Sequence, residues 1–430
     1  MKKILILFVA VILSITVFSQ QEFTSSKVIY TNPFPNSIYN NPETSITIGL
    51  DIDGEVIVSE DFTVELKDDT GIAISGLLKL KMESGKLIFQ PYSLLIEGKE
   101  YEFIVMYQNE KIHTFSFTVD NHNPTYVPSI FNELTNDVVL PPLSESDITK
   151  ANSYLNNYNL PADFPAFDII NSNNPGDGYY IIARVSQNPT IPLYQIIMDT
   201  LGFPVYYRKA NTGEQFYNLV LQETGLFTYF NGTQAKFLSM NSSFYIQAAY
   251  EAKNGYVADG HDLLLLDDDS YWLMIYDERI VDMSVIVPGG QPEAAVIGLV
   301  IQHIDSAGDV LFEWSSWDHM QITDADPNLV NLIALGIDYV HGNGLDIDDD
   351  GNLLISSRNL SEITKVNVNT GQIIWRFGGT QNEFNFIDDS LMFSAQHHIV
   401  NMGDNNYSLY DNGNVRSTPF SRGMIYELNT

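Results

Sequence analysis

The sequence predicts an all-β protein, a β-propeller preceded by an immunoglobulin-like β-sandwich, and three observations carry that expectation. Short runs of period-two alternation recur between residues 27 and 119, the pattern of half-buried strands. From about Gly178 two kinds of turn alternate along the chain, as they would in four-stranded blades made of two hairpins each. The third is composition: 44% hydrophobic residues, with 24 Tyr and 24 Phe in 430, supply enough apolar and β-prone surface for a large core.

The elements follow in chain order. Lys2 and Lys3 precede an apolar run, Ile4 to Phe18, broken only by Ser14 and Thr16, and Val17-Phe18-Ser19 offers a cleavage site. Residues 1–19 therefore read as a signal peptide; the run is shorter than the roughly 20 residues a bilayer core needs. No cysteine follows to carry a lipid anchor. The expected location is periplasmic or extracellular, with no membrane insertion once the leader is removed. Residues 27–119 form the expected seven-strand sandwich. Its strands include Ser45 to Leu50, Phe62 to Leu66, Lys86 to Phe89 and Tyr101 to Val105, with turns at Asp53-Gly54 and Asp69-Thr70-Gly71 and a closing strand from His113 to Val119. Residues 120–175, rich in Asn, Pro, Asp and Ser, read as a linker with one short helix near Glu145 to Asn157. Residues 176–430 are the propeller.

Two phrases alternate within it. A D/N-x-x-G turn leads into a strand carrying an aromatic: Asp199 to Gly202 before Tyr206, Asp305 to Gly308 before Phe312, and, one residue longer, Asn367 to Gly371 before Trp375. The other phrase is an acidic turn before an apolar strand, at Asp267 to Ser270, Asp348 to Gly351 and Gly403 to Asn406.

Charge and cysteine content exclude whole classes of function. With 21 Lys and Arg against 54 Asp and Glu the formal charge is −33. A nucleic-acid partner needs a basic footprint that this chain lacks, and an anionic membrane surface would repel it. The absence of cysteine removes disulfides, thiolate-bound zinc, iron–sulfur clusters and thiol catalysis together.

A histidine precedes each acidic turn at nearly the same distance: His261 six residues before Asp267, His341 seven before Asp348, and His397 six before Gly403. In a propeller, equivalent positions on successive blades converge on the central axis, so these three are expected at one mouth of the channel. Most single histidines are structural hydrogen-bonders, and His113, His122, His303 and His319 are read that way. His398 follows His397, and consecutive strand residues face opposite ways, so only one of them can face the channel. Arg358, closing Leu353-Leu354-Ile355-Ser356-Ser357, reaches the same mouth, and a guanidinium among imidazoles makes an anion site. Three histidines also suit a metal, but the arginine would repel a cation, so no metal and no cofactor is expected. Asp346-x-Asp348-x-Asp350-Gly351 mimics the start of a calcium loop. Its twelfth position is Ser357 where a bidentate Glu is needed, which leaves a solvated turn as the favoured reading.

Several phrases together resemble the bacterial arylsulfotransferases in order and spacing: His341-Gly-Asn343, Ile355-Ser-Ser-Arg358, Gly371-Gln-Ile-Ile-Trp375-Arg-Phe-Gly-Gly379, Gln396-His397 and Tyr410-Asp411-Asn412-Gly413. The resemblance covers roughly residues 178–415, and the sandwich by position. It implies a secreted six-bladed propeller with an N-terminal sandwich. The implied reaction is a ping-pong sulfuryl transfer from an aryl sulfate donor to a phenol acceptor, without a nucleotide sulfate. By that resemblance His397 is the nucleophile, His261, His341 and Arg358 hold the sulfuryl oxygens, and Asn343, Gln396 and Asn412 contact substrate. Tyr339 stands where the family has Trp, Gly344 where it has Ser, and His398 where Asp or Thr is commoner. Family members continue past the Asp-Asn-Gly phrase, so a C-terminally truncated propeller is expected. A homodimer is compatible with this reading. Two alternatives stay open on the residues alone: a secreted binding module for an anionic ligand, glycan or protein, and a sulfate-ester hydrolase.

Overall fold

The computed structural model describes residues 27–51, 58–120, 160–165, 177–183, 192–200 and 202–429. The leader at 1–19, the Asp53-Gly54 turn, His122 and the helix expected near Glu145 to Asn157 lie outside the described residues. Among those described, strands dominate the regular structure, and no helix is long and apolar enough to cross a membrane.

The N-terminal strands form because one face of each meets a partner sheet while the other meets water. In Glu100–Tyr107, for example, Tyr101, Phe103 and Val105 are buried while Glu100 and Glu102 are exposed. Two four-stranded antiparallel sheets result. One is ordered Val28–Asn32, Ile46–Leu50, Lys86–Pro91, Gly76–Lys81; the other is Ala73–Ile74, Phe62–Asp68, Glu100–Tyr107, Glu110–Thr118. Ile46, Ile48, Phe89, Phe103 and Phe117 share the core between them. Among the described residues the sandwich has eight strands where the sequence suggested seven, one of them the two-residue Ala73–Ile74.

The rest of the described chain is a propeller of successive antiparallel blades, five among the described residues where the family resemblance implies six. The first holds Tyr179–Ala183, Tyr194–Asp199 and Pro204–Lys209. The second runs from Phe216–Leu221 to Ile246–Tyr250. The third is Leu263–Leu265, Tyr271–Val281, Ala294–Ile304 and Val310–Ser315, with Gly336–Asp338 added in parallel. The fourth is Gly342–Ile347, Leu353–Ser357, Glu362–Val366 and Ile373–Gly378, and the fifth is His397–Asn401, Asn406–Asp411 and Arg422–Glu427. In every four-stranded blade the spatial order is the chain order.

The two turn phrases occupy different hairpins. Acidic turns join the first and second strands of the third, fourth and fifth blades, whereas D/N-x-x-G turns join the third and fourth strands of the third and fourth. At Asp305 the side-chain Oδ1 accepts from the backbone N–H of Ala307 (3.0 Å) and Asp309 (2.9 Å). The chain then reverses through Gly308 at φ +84°, a conformation that costs glycine little.

Period-two alternation also decides which seam each side chain fills. From Tyr271–Val281, residues Trp272, Met274 and Tyr276 enter the core shared with the fourth blade, while Tyr271, Leu273 and Ile275 enter the core shared with the second. Leu353 and Ile355 face the third blade, and Leu354 faces the fifth beside Ile399, Tyr407 and Leu409. Strands buried on both faces read as continuous apolar runs for this reason. Carboxylates tie the innermost strands in register: Asp262 accepts from Leu345 N (2.9 Å) and Asp346 from Asn401 N (2.6 Å). Burial, the largest influence, pushes both carboxyls above their ordinary range.

The sandwich docks on the outer strand of the third blade. Tyr30 donates its hydroxyl to Glu313 O (2.7 Å), Thr47 donates to Val310 O (2.9 Å), and Lys81 pairs with Asp305 and Asp309 at 2.8 and 2.6 Å. The fully buried Arg279 bridges Asp277 of the propeller and Asp120, each at 2.8 Å.

Candidate active site

The three histidines stand at the same place in three successive blades. His261 lies two residues before the innermost strand Leu263–Leu265, His341 immediately before Gly342–Ile347, and His397 opens His397–Asn401. The fourth and fifth innermost strands approach closely at Gly344. A Cβ there would lie 3.1 Å from the Cα of His398, so glycine at the position where the family carries Ser permits this contact.

His261 and His341 form one cluster. Their ring centroids are 5.2 Å apart, edge to face, and Tyr276 stacks on His261 at 5.6 Å while meeting His341 edge-on at 5.4 Å. The Tyr276 hydroxyl is fixed by donation to Gly342 O (2.7 Å). Each histidine also has its own carboxylate. Asp259 Oδ1 lies 2.5 Å from His261 Nδ1 and accepts from the His261 backbone N–H at 2.9 Å. Asp338 Oδ2 lies 2.5 Å from His341 Nδ1, and its Oδ1 accepts from the backbone N–H at 3.1 Å. A φ of +52° at His341 turns the chain so that its ring folds back onto Asp338. An ionised carboxylate only accepts, so both rings carry their proton at Nδ1.

His397 is held differently. Its Nδ1 lies 2.9 Å from Asn412 Oδ1 and 3.3 Å from Ala395 O. A backbone carbonyl only accepts, which assigns the proton to Nδ1 and the lone pair to Nε2. The strand bearing His397 is anchored by the residue before it. The Gln396 side chain, fully buried, donates from Nε2 to Glu362 O (2.9 Å), Ser356 Oγ (3.1 Å) and Ser357 O (3.2 Å). Asn343 Nδ2 donates to Gln396 O at 2.7 Å. Asn343 and Gln396 thus hold His397 in place, and Asn412 orients its ring.

Arg358 begins a single 3-10 turn, Arg358–Leu360, after the strand Leu353–Ser357. Its backbone N–H donates to His341 O (2.9 Å), which sets it directly beside that histidine, and its half-buried guanidinium donates to Asn359 Oδ1 at 2.7 Å. His398 is exposed at φ +58°.

The remaining described histidines are structural. His303 stacks on Trp272 at 4.3 Å and His319 on Trp314 at 5.2 Å. Burial drives His113 and His303 down to about 4 and His319 to about 3, so all three are neutral at pH 7. Tyr339 is a core residue whose hydroxyl donates to Ser316 Oγ at 2.7 Å. The Gly371-to-Gly379 phrase is architectural: it lies on the outermost strand of the fourth blade, where Arg376 joins Glu362 and Asp324, each at 2.8 Å.

The acidic turn at Asp348 is not merely solvated. Lys365 reaches in from the third strand, 2.5 Å from Asp348 and 2.8 Å from Asp350, and Tyr407 donates to Asp348 at 2.8 Å. An ammonium group thus sits between the carboxylates that mimic a calcium loop. Among the described residues no group of three or more His, Asp and Glu is placed to hold a metal ion.

The sequence reading passed over Asp259, Asp338 and Tyr276. A signal existed for two of them, since an Asp stands two residues before His261 and three before His341, with none so placed before His397.

The fold and these residues together give a β-propeller in which His261, His341 and His397 stand at the starts of three successive innermost strands, with Arg358 next to His341. The family model described as Arylsulfotransferase (ASST) matches residues 229–430, from the second blade through the fifth, so this part of the chain is similar to the arylsulfotransferases. No curated protein matches the sequence. Similar solved structures include a protein of unknown function from Bacteroides caccae, at 9% identity over 51% of this chain and 62% of that one, with a TM-score of 0.32. A virginiamycin B lyase from Staphylococcus aureus is 10% identical over 86% of this chain and 90% of that one (TM-score 0.27). A streptogramin B lyase is 9% identical over 90% and 93% (TM-score 0.28).

Proposed function

We propose that this protein moves a sulfuryl group from an aryl sulfate to a phenol through a covalent intermediate on His397. The family match supports sulfotransfer in general. The observation that carries the finer reading is the orientation of His397, whose Nδ1–H is held by Asn412 and Ala395 and whose lone pair is thereby on Nε2. In the first half-reaction Nε2 forms a bond to sulfur while the sulfur–oxygen bond to the aryl group breaks, and the phenolate leaves with the electron pair. The adduct keeps its proton at Nδ1 and is a sulfoimidazolium, an activated donor. In the second half the acceptor phenol gives its proton to water, its oxygen attacks sulfur, and the sulfur–nitrogen pair returns to Nε2. Arg358 and the paired histidines supply the positive field for the sulfuryl oxygens, as donors aimed at equatorial oxygens do in phosphoryl transfer. The apolar run at residues 1–19, read as a leader, supports a location in the periplasm or outside the cell.

The test is release of 4-nitrophenol from 4-nitrophenyl sulfate, with and without a second phenol, on wild type and His397→Ala. Acceptor-dependent release, reduced about a thousandfold or more in the variant, is expected. Undiminished activity in His397→Ala overturns the covalent route, and equal release without acceptor identifies a hydrolase instead.

A further inference from the structure

We propose that Asp411 is a positioning residue for His397: its carboxylate, clamped by Arg416 and Arg422, fastens together two chain segments that bear on the nucleophile's ring. The inference rests on the sulfotransfer reading above and adds to it the part that holds the ring still. Ala395 O and Asn412 Oδ1 both lie by His397 Nδ1, and they come from different segments. Ala395 belongs to the loop that runs into the strand His397–Asn401, and Asn412 to the turn that follows the strand Asn406–Asp411. Asp411 ties one segment to the other from the neighbouring residue on each side. Its Oδ1 accepts from the backbone N–H of Ser394 at 3.1 Å, and the Gly413 N–H donates to Ser394 O at 3.0 Å.

The loop needs such a tie. Asp388, Met392 and Ala395 have left-handed backbones, at φ +60°, +56° and +50°, and residues other than glycine keep such values only where their surroundings impose them. Two guanidiniums do so here. Arg422 stands opposite Asp411 on the next strand and donates from Nε to Asp411 Oδ2 at 2.9 Å. It also donates from Nη1 and Nη2 to Asp389 at 2.9 and 3.1 Å, and from Nη2 to Met392 O at 2.7 Å. Arg416 donates from Nη2 to Asp411 Oδ2 and, at 3.0 Å, to Met392 O. Asp411 is fully buried, and a carboxylate so placed persists only with charge and hydrogen-bond partners, which the two arginines and the Ser394 N–H supply. A Cβ on Gly413 would collide with Arg416 Nη1, so the guanidinium closes over this turn only because the residue is glycine. The Asp411-Asn412-Gly413 phrase thus holds a tie, a ring contact and room for the arginine.

The tautomer of the ring reports the tie without any substrate. Long-range 1H–15N spectra of the labelled full chain, at one alkaline pH where imidazoles are neutral, distinguish a proton on Nδ1 from one on Nε2; the His397 signals are those lost in His397→Ala. Wild-type His397 should show the Nδ1–H form. Asp411→Asn keeps an acceptor for the Ser394 N–H but removes the charge, and should let the ring relax toward the mixture of a free imidazole. It should lower kcat for sulfuryl transfer from 4-nitrophenyl sulfate about thirtyfold with KM within about twofold, as when a reacting group is displaced and no binding contact is lost. Arg416→Gln leaves Arg422 on Asp411, so it carries the test even if Asp411→Asn fails to fold; it should move both readouts the same way, with kcat down about fivefold. Mixed tautomers in wild type, or a His397 tautomer unchanged in every variant that folds, overturn the inference whatever the activity. A shifted tautomer with undiminished turnover overturns it too, as does a lower unfolding midpoint with kcat and tautomer intact. If the tautomer responds while wild type transfers no sulfuryl group, the functional reading fails and the positioning of His397 by Asp411 stands.

Discussion

The strands Leu263–Leu265, Gly342–Ile347 and His397–Asn401 begin at imidazoles and lead into acidic turns. At the beginning stand His261, His341, His397 and Arg358, in a chain of formal charge −33. At the other end, Asp348 and Asp350 close on Lys365, and Asp349 staples the fourth blade to the fifth by accepting from Asn401 Nδ2 and Asp404 N, each at 2.9 Å. The six residues of Gly342–Ile347 separate the two ends by about 20 Å at the rise of an extended strand. That exceeds the roughly 8 Å Debye length of physiological salt. Net charge therefore says little about the local site: one end of these strands carries imidazoles and a guanidinium while the other is organised around an ammonium.

If the two ends have separate tasks, substitutions at each should move different observables. The largest effect is expected at the mouth. Arg358→Ala should lower kcat/KM for sulfuryl transfer by about 10²–10³-fold, the usual loss when one donor to a developing oxyanion is removed. Its half-buried guanidinium donates to its neighbour Asn359, and the change in the unfolding midpoint should be small beside the kinetic loss. A collapse of stability with unaltered kinetics per folded molecule would give Arg358 a structural task and break the contrast.

At the acidic end the reverse is expected. Lys365→Met leaves Asp348, at 3% side-chain exposure, without its cation, and breaking a buried pair on one side costs about 3 kcal/mol. Asp350 is half exposed and adds less. Denaturant melts should show the loss, while KM for the donor stays within about twofold. Burial pulls the Asp350 carboxyl upward, but the hydrogen bonds from Lys365 and Asn352 outweigh it and hold the group below its ordinary value. A depressed carboxyl contributes stability that is present above its unfolded value and lost as pH falls through the folded one. The wild-type advantage over Lys365→Met should therefore shrink below about pH 4.

What could be read from the sequence was what repetition writes there. The alternating hairpins fixed the blades, and the recurring distance from histidine to acidic turn located His261, His341 and His397 at equivalent strand starts. Interactions that skip across strands left no such trace. Lys365 neutralises an Asp 17 residues earlier in the chain, because it stands two strands over in the same blade. Gln396 sits beside the nucleophile in sequence, yet it turns inward to three acceptors of the fourth blade. The carboxylate partners of His261 and His341 were two and three residues away, so no fixed spacing announced them; the left-handed backbone at His341 makes the longer loop reach the same geometry. The sandwich was legible as alternating strands, but the two-residue Ala73–Ile74 is too short to show periodicity.

The smallest and sharpest change is Asn412→Asp, which would give the third histidine the kind of partner the other two have. The more basic ring should attack sulfur no more slowly. A carboxylate behind Nδ1 can, however, accept the proton of the sulfoimidazolium, and the resulting neutral sulfoimidazole is a poorer donor because its leaving group is an imidazolate rather than an imidazole. The second half-reaction should therefore slow by about tenfold while the first does not. Rapid-mixing measurements would show a burst of one 4-nitrophenol per site followed by slower turnover, together with accumulation of a protein heavier by one sulfuryl group. Turnover equal to wild type, with no burst, would mean that the group behind Nδ1 does not set the reactivity of His397, and the distinction between amide-backed and carboxylate-backed histidines would then carry no kinetic weight.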